Sequence, residues 1–220
     1  MTPDPALPEP FTWEGEHIAV QAPGGEALFT TRREGLETVA QQIGIAEQYW
    51  ARGRQVHEAD VRRVRGLGDL QARDADGQAT VVPGVACVVL VADCLPVALL
   101  AEGAVAMLHA GWRGLAAGVL EEGVQALREL GASGDVVAAI GPGAGGCCYE
   151  VGDEVRRVFG REGSGLLDLK AIAAGRLLAA GAIEVHDAGL CTLCSDPSLF
   201  FSHRRDGGVT GRQAGFAWRT

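Results

Sequence analysis

Three residues far apart along the chain, His57, Cys94 and His109, carry side chains that bind zinc in proteins. Catalytic zinc sites take three ligands from His, Cys and carboxylate side chains and leave the fourth position to water or substrate. Each residue is predicted at the end of a strand, where rigid backbone delivers a side chain to a cleft. The pattern predicts an open zinc site. Because a lone Cys or His is also typical of a satisfied core position, the residues alone leave that simpler interpretation open.

A second candidate for metal or redox chemistry is the pair in Cys191-Thr-Leu-Cys194. Structural zinc sites use two such closely spaced pairs, and the sequence shows no second pair to complete this one. We therefore interpret these residues as two reduced or buried thiols near a turn. The six cysteines, at positions 87, 94, 147, 148, 191 and 194, are expected to be core thiols or metal ligands rather than a disulfide framework.

Two further segments have residue types that can bind anions. His203, Arg204 and Arg205 are adjacent, and paired Arg beside His can clamp a phosphate or a carboxylate. The alternative is a solvated loop in which Asp206 pairs with a neighbouring Arg, and the loop by itself favours this alternative. The Gly-rich segment Gly141–Gly146 lacks the ending of a P-loop and the Rossmann spacing, so we predict a tight turn there.

The elements that must position these residues are short strands and a few helices. Apolar and β-branched runs predict strands at His17–Gln21, Ala27–Thr31, a segment ending near His57, Val81–Ala92, Pro96–Ala101, Ala104–His109, Asp135–Ile140 and Ile183–Ala188. Apolar spacing predicts helices at Leu36–Ile43, Leu115–Leu130, Asp153–Phe159 and Leu166–Ala180, and polarity predicts a loop at Phe200–Arg212. Because strands and helices do not alternate regularly, we predict an α+β single domain over residues 1–220, with mixed β-sheets packed with flanking helices.

Composition limits the classes of protein to which the chain can belong. Its 220 residues, 47% of them hydrophobic, are enough for one domain with a sizeable core. The formal net charge of −9 argues against broad binding to nucleic acid or to an anionic membrane. No signal peptide is visible, and Pro83, Asp93 and Pro96 break the longest apolar stretch. We expect a cytoplasmic protein, a monomer or small homo-oligomer, in which the proline-rich residues 1–10 are flexible.

Six motifs run in order through most of the chain. They are Phe29-Thr-Thr-Arg32, Gln55-Val-His57, Ala92-Asp-Cys-Leu-Pro96, His109-Ala-Gly-Trp-Arg-Gly114, Gly141-Pro142 with Cys147-Cys-Tyr-Glu-Val-Gly152, and Phe200-Phe-Ser-His-Arg-Arg-Asp206 with Thr210-Gly-Arg212. In these motifs the chain resembles the polyphenol oxidase or laccase-domain family, which includes the YfiH-type purine nucleoside phosphorylases. The combination of the third and fourth motifs is highly specific for this family.

The resemblance implies a function and a set of site residues. The family's zinc ligands correspond to His57, Cys94 and His109, so the cofactor is expected to be Zn²⁺ rather than copper. The implied activity is that of a zinc-dependent purine nucleoside phosphorylase, with adenosine deaminase and methylthioadenosine phosphorylase activity, acting on a purine nucleoside and phosphate. Asp93 and Arg113 are further catalytic candidates, with Asp93 and Glu150 as proton-transfer groups. The candidates for binding substrate or phosphate are Arg32, Gln55, Glu150, His203, Arg204 and Arg205.

The chain departs from the family pattern in three places. After Arg32 the usual loop with Gly-Gly-Val-Ser and Leu-Asn-Leu-Gly segments is missing, and Arg33-Glu-Gly-Leu36 leads almost directly into a predicted helix. Glu58 follows the Gln-Val-His motif, where the family commonly has a small residue. Gly143-Ala-Gly-Gly146 replaces a stretch that usually contains Ile. If the missing loop lines the pocket in relatives, the substrate preference of this chain differs from theirs.

Three other functions fit the same residues. Copper-dependent oxidation of phenols in a conventional multicopper centre needs about ten His ligands plus a Cys, and the chain has five His, at 17, 57, 109, 186 and 203. A metal-independent hydrolase, for example acting on a cell-wall precursor, would use Cys94 as nucleophile with His109 or His57 as base. A non-catalytic interaction module is the third, and the concentration of Cys, His, Arg and Asp at predicted strand ends argues against it.

Overall fold

The structure, a computed structural model, describes residues 4–220. These residues form fourteen strands: β1 (Thr12–Glu14), β2 (His17–Ala22), β3 (Gly25–Phe29), β4 (Trp50–Arg52), β5 (Val61–Val64), β6 (Gly77–Thr80), β7 (Ala86–Val91), β8 (Leu95–Glu102), β9 (Ala104–Ala110), β10 (Ser133–Ile140), β11 (Glu150–Val151), β12 (Gly165–Leu166), β13 (Ala182–Asp187) and β14 (Gln213–Trp218). The α-helices of the same residues are α1 (Leu36–Ile43), α2 (Trp112–Ala117), α3 (Val119–Glu129), α4 (Asp153–Val158) and α5 (Leu169–Ala179). No helix among them is both long and apolar enough to cross a membrane.

Most of the strands lie in two six-stranded mixed sheets. The first sheet has the order β1-β2-β3-β14-β7-β4, and the second has the order β13-β10-β8-β9-β6-β5. Three neighbouring pairs are parallel, namely β4 with β7, β5 with β6 and β10 with β13. The short strands β11 and β12 form a separate antiparallel pair. The predicted α+β fold with mixed sheets and flanking helices is confirmed.

The two sheets pack face to face, and the central strands of the second sheet are buried on both faces. In β9, Val105 and Met107 belong to the same core cluster as Phe29 and Val89 of the first sheet, whereas Leu108 belongs to the cluster that contains the helices. This alternation follows from the two-residue period of a strand, and it explains why β8 and β9 read as continuous apolar runs. Helices α3 and α5 cover the outer face of the second sheet, and α1 covers the outer face of the first.

The prediction of a strand that ends near His57 is wrong. The strand in this region, β4, ends at Arg52, and residues 53–60 form a loop without regular structure. The backbone N–H groups of Val56, His57 and Glu58 all donate to the carboxylate of Asp76, at 3.1, 2.9 and 2.8 Å. A buried carboxylate thus satisfies donors that would otherwise require a neighbouring strand.

The helix predicted over Leu115–Leu130 is in fact two helices. Helix α2 begins three residues earlier, at Trp112, and ends at Ala117, and α3 begins at Val119, after Gly118. Gly118 has a φ of 101°, which lies outside the range of an α-helix and is open mainly to glycine. The apolar spacing continues across the break because both helices face the same sheet, so the pattern hides it.

Two other predicted elements begin later than expected. In Val81–Ala92, residues 82–85 form a turn closed by a hydrogen bond from Val85 N to Val82 O of 3.3 Å, and strand β7 starts at Ala86. In Leu166–Ala180, helix α5 starts at Leu169, because the carboxylate of Asp168 accepts a hydrogen bond of 2.9 Å from Ala171 N and caps the helix.

The amino-terminal segment contacts the rest of the protein. Trp13 Nε1 donates to Pro5 O at 3.0 Å, Arg33 Nη1 to Asp4 Oδ1 at 2.7 Å, and Phe11 N to Pro8 O at 3.0 Å. Asp4, Pro5 and Pro8 therefore have defined partners, and the flexibility of residues 1–10 stays a prediction. The first three of those residues lie outside the described part of the chain.

Candidate metal centre

The short connection between β7 and β8 places Cys94. Strand β7 belongs to the first sheet and β8 to the second, so residues 92–94 must turn sharply from one sheet to the other. Asp93 takes a φ of 84° in this turn, a left-handed conformation that non-glycine residues adopt rarely and mainly where the surrounding structure imposes it. The turn leaves the Cys94 side chain at the junction of the two sheets.

Strand pairing brings His109 next to Cys94. His109 lies one residue before the end of β9, opposite Pro96 of β8, and Ala110 lies opposite Leu95. Residues at the start of β8 and at the end of β9 are therefore neighbours in an antiparallel ladder. The prediction that Cys94 and His109 lie at strand ends is confirmed.

The loop of residues 53–60 supplies His57, with a φ of 65°. The same Asp76 carboxylate that holds this loop accepts a 2.7 Å hydrogen bond between its Oδ1 and His109 Nδ1. One buried carboxylate thus fixes both histidines, and with Nδ1 held by Asp76 the Nε2 atom lies on the opposite side of the His109 ring, where Cys94 is its partner. Asp76 was not among the predicted site residues, because in the sequence it is one of two Asp in a polar, turn-rich run.

The three predicted ligands converge. One ligand atom from each of His57, Cys94 and His109 lies within 4.8 Å of the other two. The two imidazole rings are nearly perpendicular, at 77°, with centroids 4.8 Å apart. Two imidazoles and a thiolate at this spacing match the ligand set of a catalytic zinc site, with a carboxylate–histidine contact of the kind that supports such ligands.

The pKa shifts at the centre favour a Cys94 thiolate beside a protonated His109, which must release its proton to bind a metal ion. Burial raises the pKa of Cys94, but hydrogen bonds from His109 and His57 outweigh this effect and lower it to about 6, so the metal-binding thiolate form prevails at neutral pH. Burial lowers the pKa of His109, whereas its hydrogen bonds with Asp76 and Cys94 raise that pKa to about 9. Burial likewise raises the pKa of Asp76, but the bond from His109 and three backbone N–H groups bring it below its usual value.

Gly111 leaves the space that the centre occupies. A Cβ atom at this position would lie 2.8 Å from Cys94 Sγ and 3.5 Å from His57 Cδ2. We expect Gly111→Ala to displace Cys94 and to lower the zinc content of the purified protein well below that of the unmodified chain. Zinc per chain, measured by mass spectrometry of the elements, checks this.

Gly175→Ala is the matched control, because a Cβ atom there meets no atom within 4 Å and the residue lies inside α5. This control should keep its zinc and gain up to about 1 kcal/mol of stability from helix propensity. Equal zinc in both variants and in the unmodified chain would contradict the assigned role of Gly111.

The centre opens into two adjoining cavities of about 220 Å³ and about 410 Å³. Both are lined by His57, Cys94 and His203. The smaller cavity continues into an outer groove that shares four of its side chains, namely Trp112, Arg113, Tyr149 and Arg204. Two cations and two aromatic rings therefore surround the approach to the candidate ligands.

Contacts between the aromatic and cationic side chains that line the smaller cavity fix their positions. The Arg113 guanidinium lies 4.4 Å from the Trp112 ring centroid, and that of Arg204 lies 5.2 Å from the Tyr149 ring centroid. Burial, followed by the charge of Cys94, raises the pKa of the Tyr149 hydroxyl, which is therefore a proton donor at neutral pH. Neither Trp112 nor Tyr149 was predicted as a site residue, although both lie inside the motifs that carry His109 and Glu150.

Asp93 links the turn at Cys94 to two other segments. Its Oδ1 accepts a hydrogen bond of 2.7 Å from Thr192 Oγ1, and its Oδ2 accepts one of 2.7 Å from Arg204 N. Arg204 Nη1 in turn donates to Glu150 O at 2.7 Å. Asp93 and Glu150 both border the cavities, Asp93 beside Cys94 and Glu150 in the outer groove.

The structure does not bring all the predicted binding residues to the centre. Arg32 Nη1 donates to Pro197 O at 2.8 Å, and its guanidinium lies over the Phe201 ring. The guanidinium of Arg205 donates to Thr192 O and Phe200 O and pairs with Asp206. The pairing of Asp206 with a neighbouring Arg is the alternative to an anion clamp that the sequence left open. Gln55 borders the larger cavity, but its amide exchanges two hydrogen bonds with the backbone of Leu90. These contacts stabilise loops around the site.

A separate cavity of about 490 Å³ lies between the edges of the two sheets, next to β2, β10 and β13. Its only histidine, His186, is hydrogen-bonded to Glu184 at 3.0 Å. It contains none of the groups of residues 4–220 whose ligand atoms converge on a common point. We therefore place the chemistry at the junction of the sheets.

The fold and the site define a class of protein: an α+β domain with an imidazole–thiolate centre between two mixed sheets. Residues 30–220 match the family described as multi-copper polyphenol oxidoreductase laccase. The chain belongs to this family, as the motifs predicted.

Named relatives support this membership. The chain is 42% identical over 203 residues to a purine nucleoside phosphorylase of Xylella fastidiosa, covering 82% of this chain and 75% of that protein. It is 38% identical over 178 residues to purine nucleoside phosphorylase YfiH of Escherichia coli, covering 74% and 71%. The crystal structure of YlmD from Geobacillus stearothermophilus has a TM-score of 0.87 at 31% identity, covering 96% of this chain and 99% of that one.

Proposed function

We propose that the protein is a zinc-dependent purine nucleoside phosphorylase. The observation that carries the proposal is the convergence of His57, Cys94 and His109 beside two adjoining cavities, of which the smaller is also lined by Arg113 and Arg204. The names of the relatives in Xylella fastidiosa and Escherichia coli support the substrate class.

The donor set fits zinc. Two imidazoles and one thiolate bind a zinc ion in tetrahedral geometry and leave one position to a ligand from the cavity. When bound, the ion supplies a Lewis acid that polarises an oxygen atom at that position. Copper also favours these donors, but a conventional multicopper centre needs about ten histidines. Of the histidines in the described residues, His17 faces Glu34 and His186 is bonded to Glu184, both outside the two cavities.

The residues around the ligands suit a nucleoside and an anion. The rings of Trp112 and Tyr149 provide apolar surface for a purine base. The guanidinium groups of Arg113 and Arg204 provide positive charge for phosphate in a protein with a net charge of −9. In the reaction a phosphate oxygen bonds to C1′ of the ribose while the bond from C1′ to the base breaks. The base leaves with the electron pair and takes up a proton.

We assign the proton-transfer and positioning roles from hydrogen bonding. Both carboxylate oxygens of Asp93 already accept hydrogen bonds, so Asp93 positions Thr192 and the Arg204 backbone beside the centre. Glu150 borders the outer groove and is exposed, which leaves it as the carboxylate candidate for proton transfer. His203 borders both cavities and is a second candidate for contact with substrate.

The proposal is tested by incubating the purified protein with inosine, adenosine and methylthioadenosine, with and without phosphate. We expect base release that requires phosphate, stops on removal of zinc by a chelator and returns when zinc is added. Ammonia release from adenosine without phosphate measures deamination, which the same open imidazole–thiolate centre is suited to support. Absence of metal-dependent base release from all three nucleosides would overturn the proposal.

Arg113→Gln is expected to weaken phosphate binding. The substitution removes the positive charge, and loss of a charge-assisted hydrogen bond of about 1.5–3 kcal/mol corresponds to a rise of roughly 10- to 100-fold in the KM for phosphate. Steady-state kinetics at varied phosphate measure it. Arg128→Gln is the matched control, because the Arg128 guanidinium donates to Gly134 O away from the cavities. An unchanged KM for phosphate in Arg113→Gln would remove Arg113 from the phosphate site.

A second candidate function is a hydrolase with Cys94 as nucleophile, acting for example on a cell-wall precursor. The specific observation is the chain of contacts from Asp76 to His109 to Cys94, which resembles the order of groups in a Cys-dependent triad. In that reaction Sγ bonds to the substrate carbonyl carbon while the bond from that carbon to the leaving group breaks, and the leaving group takes a proton from His109. Water then attacks the acyl group, and the bond to Sγ breaks to free Cys94.

Zinc separates the two candidate functions, because a thiolate bound to zinc is blocked as a nucleophile. A hydrolase gains activity on removal of zinc and forms an acyl group on Cys94 that mass spectrometry detects. The phosphorylase loses activity under the same treatment, and its Cys94 stays unmodified.

A further inference from the structure

A second cluster of metal-binding side chains lies outside the proposed active site. The sulfur atoms of Cys147, Cys148, Cys191 and Cys194 all lie within 4.8 Å of one another. The distances between sulfur atoms are 3.6 Å from Cys147 to Cys148, 3.3 Å from Cys147 to Cys194, and 3.4 Å from Cys148 to Cys191. The fold thus brings a second Cys pair from a distant segment to Cys191 and Cys194, for which the sequence showed no partner pair.

Backbone pairing brings the two segments together. Gly143 and Cys191 form an isolated parallel bridge, with Thr192 N donating to Gly143 O at 3.0 Å and Gly143 N to Leu190 O at 3.3 Å. Ser195 N donates to Cys191 O at 3.0 Å, which closes the turn that presents Cys191 and Cys194 on the same side. The facing Cys pair follows shortly after Gly145, where a Cβ atom would lie 3.2 Å from Cys147 Sγ and 3.2 Å from Cys191 Cβ, so the missing side chain permits this close approach.

The sulfur positions match the edges of a metal tetrahedron. Four sulfurs at the usual zinc–sulfur distance of about 2.3 Å are about 3.8 Å apart, and a disulfide requires about 2.05 Å. The observed 3.3–3.6 Å is close to the first value and far from the second. Gly145 N also donates to Cys191 Sγ at 3.2 Å, a contact that stabilises a thiolate.

We propose that Cys147, Cys148, Cys191 and Cys194 bind a second zinc ion, with a structural role. Four thiolates select zinc among the divalent ions that prefer soft ligands, and a site closed by four protein ligands has no position for substrate. This centre differs in both respects from that of His57, Cys94 and His109, which has three ligands and opens into a cavity.

The cluster lies next to residues of the active site, so the structural role of the ion rests on the proposed function. Tyr149, in the wall of the smaller cavity, follows Cys148 directly, and Thr192, which donates to Asp93, follows Cys191 directly. A zinc ion between the two segments would hold both residues at the active site. Loss of this ion is expected to lower the melting temperature and raise the KM for nucleoside, while the zinc of the first centre stays bound.

Metal counting on the full chain tests the second site without reference to activity. The protein is purified without added metal under reducing conditions, and zinc per chain is measured. We expect two zinc ions in the unmodified chain, one in Cys194→Ser and one in Cys94→Ala. Cys87→Ala is the matched control, because Cys87 is a buried residue of β7 packed between the sheets, and it should keep two.

Several outcomes would overturn the second zinc site. These are an equal zinc content in Cys194→Ser and the unmodified chain, iron in place of zinc, or a disulfide among the four cysteines detected by mass spectrometry without reduction. If Cys194→Ser fails to fold, cobalt replaces the variant as the probe. In Cys94→Ala loaded with Co²⁺, the four thiolates of the cluster should give strong thiolate-to-cobalt absorption of a tetrahedral site, and its absence would overturn the proposal equally.

Discussion

Cys94→Ala is expected to lose the zinc of the first centre and to reduce nucleoside turnover to the background rate. The thiolate is one of three protein ligands and carries the negative charge of the ligand set, so two imidazoles alone must then hold the ion. Electrostatic stabilisation at the reacting atoms commonly contributes factors of about 10² to 10³ in rate for a single donor, and loss of the ion removes more than one such contact. Zinc per chain and the rate of base release, measured on the same preparation, check both parts.

Cys87→Ala provides the comparison for this variant. It removes a thiol of the same size from β7, and the Cys87 side chain is fully buried away from the cavities. Burial raises the pKa of Cys87 to about 12, so this thiol stays protonated at neutral pH, unlike Cys94. A Cys94→Ala protein that keeps the zinc content and turnover of Cys87→Ala would remove Cys94 from the metal centre.

Asp76→Asn has the second largest expected effect, although Asp76 is not itself a proposed ligand. Its carboxylate bonds His109 Nδ1 and accepts the backbone N–H groups of the loop that carries His57. An Asn side chain has the same shape but no negative charge, and its NH₂ group cannot accept these hydrogen bonds. Such supporting contacts are typically worth about 10- to 100-fold in metal affinity, and we expect a loss of that size.

Competition with a chromogenic chelator measures the zinc affinity of Asp76→Asn. Asp74→Asn is the matched control, because Asp74 lies two residues away on the surface and is paired with Arg54. A positioning role predicts that saturating zinc restores much of the turnover of Asp76→Asn. An affinity equal to that of the control would mean that the two histidines are held in place without Asp76.

The three side chains that converge in the first centre were predictable from the sequence because their residue types and motifs are distinctive. Cys94 and His109 sit beside apolar strands whose alternation is clear, and both lie at strand ends as predicted. His57 was assigned correctly as a member of the cluster, but its loop was predicted as a strand. That loop is shaped by Asp76, and no local pattern reveals which distant carboxylate accepts three backbone N–H groups.

The remaining differences have a common physical origin in contacts between distant segments. The Cys147-Cys148 pair meets Cys191 and Cys194 only because the backbone bridge at Gly143 joins two loops. Arg205 and Arg204 are adjacent in the sequence, yet the first is bonded to backbone carbonyls and the second borders the cavity. The type of a side chain restricts its chemistry, but its direction depends on the packing of elements that the local sequence does not specify.

The break between α2 and α3 illustrates the same limit for secondary structure. Apolar residues continue at helical spacing on both sides of Gly118, since both helices pack on the second sheet. A glycine inside a helical pattern is often tolerated at a cost of about 1 kcal/mol, so its presence alone does not establish a break. The φ of 101° at Gly118 shows that here the chain does change direction.

Diffraction from crystals of the protein purified without added metal, recorded on both sides of the zinc absorption edge, tests the first centre most directly. We expect an anomalous peak within bonding distance of Cys94 Sγ and one nitrogen each of His57 and His109, with a non-protein oxygen as the fourth ligand. An absence of metal at these three side chains, or a fourth protein ligand that closes the site, would contradict it.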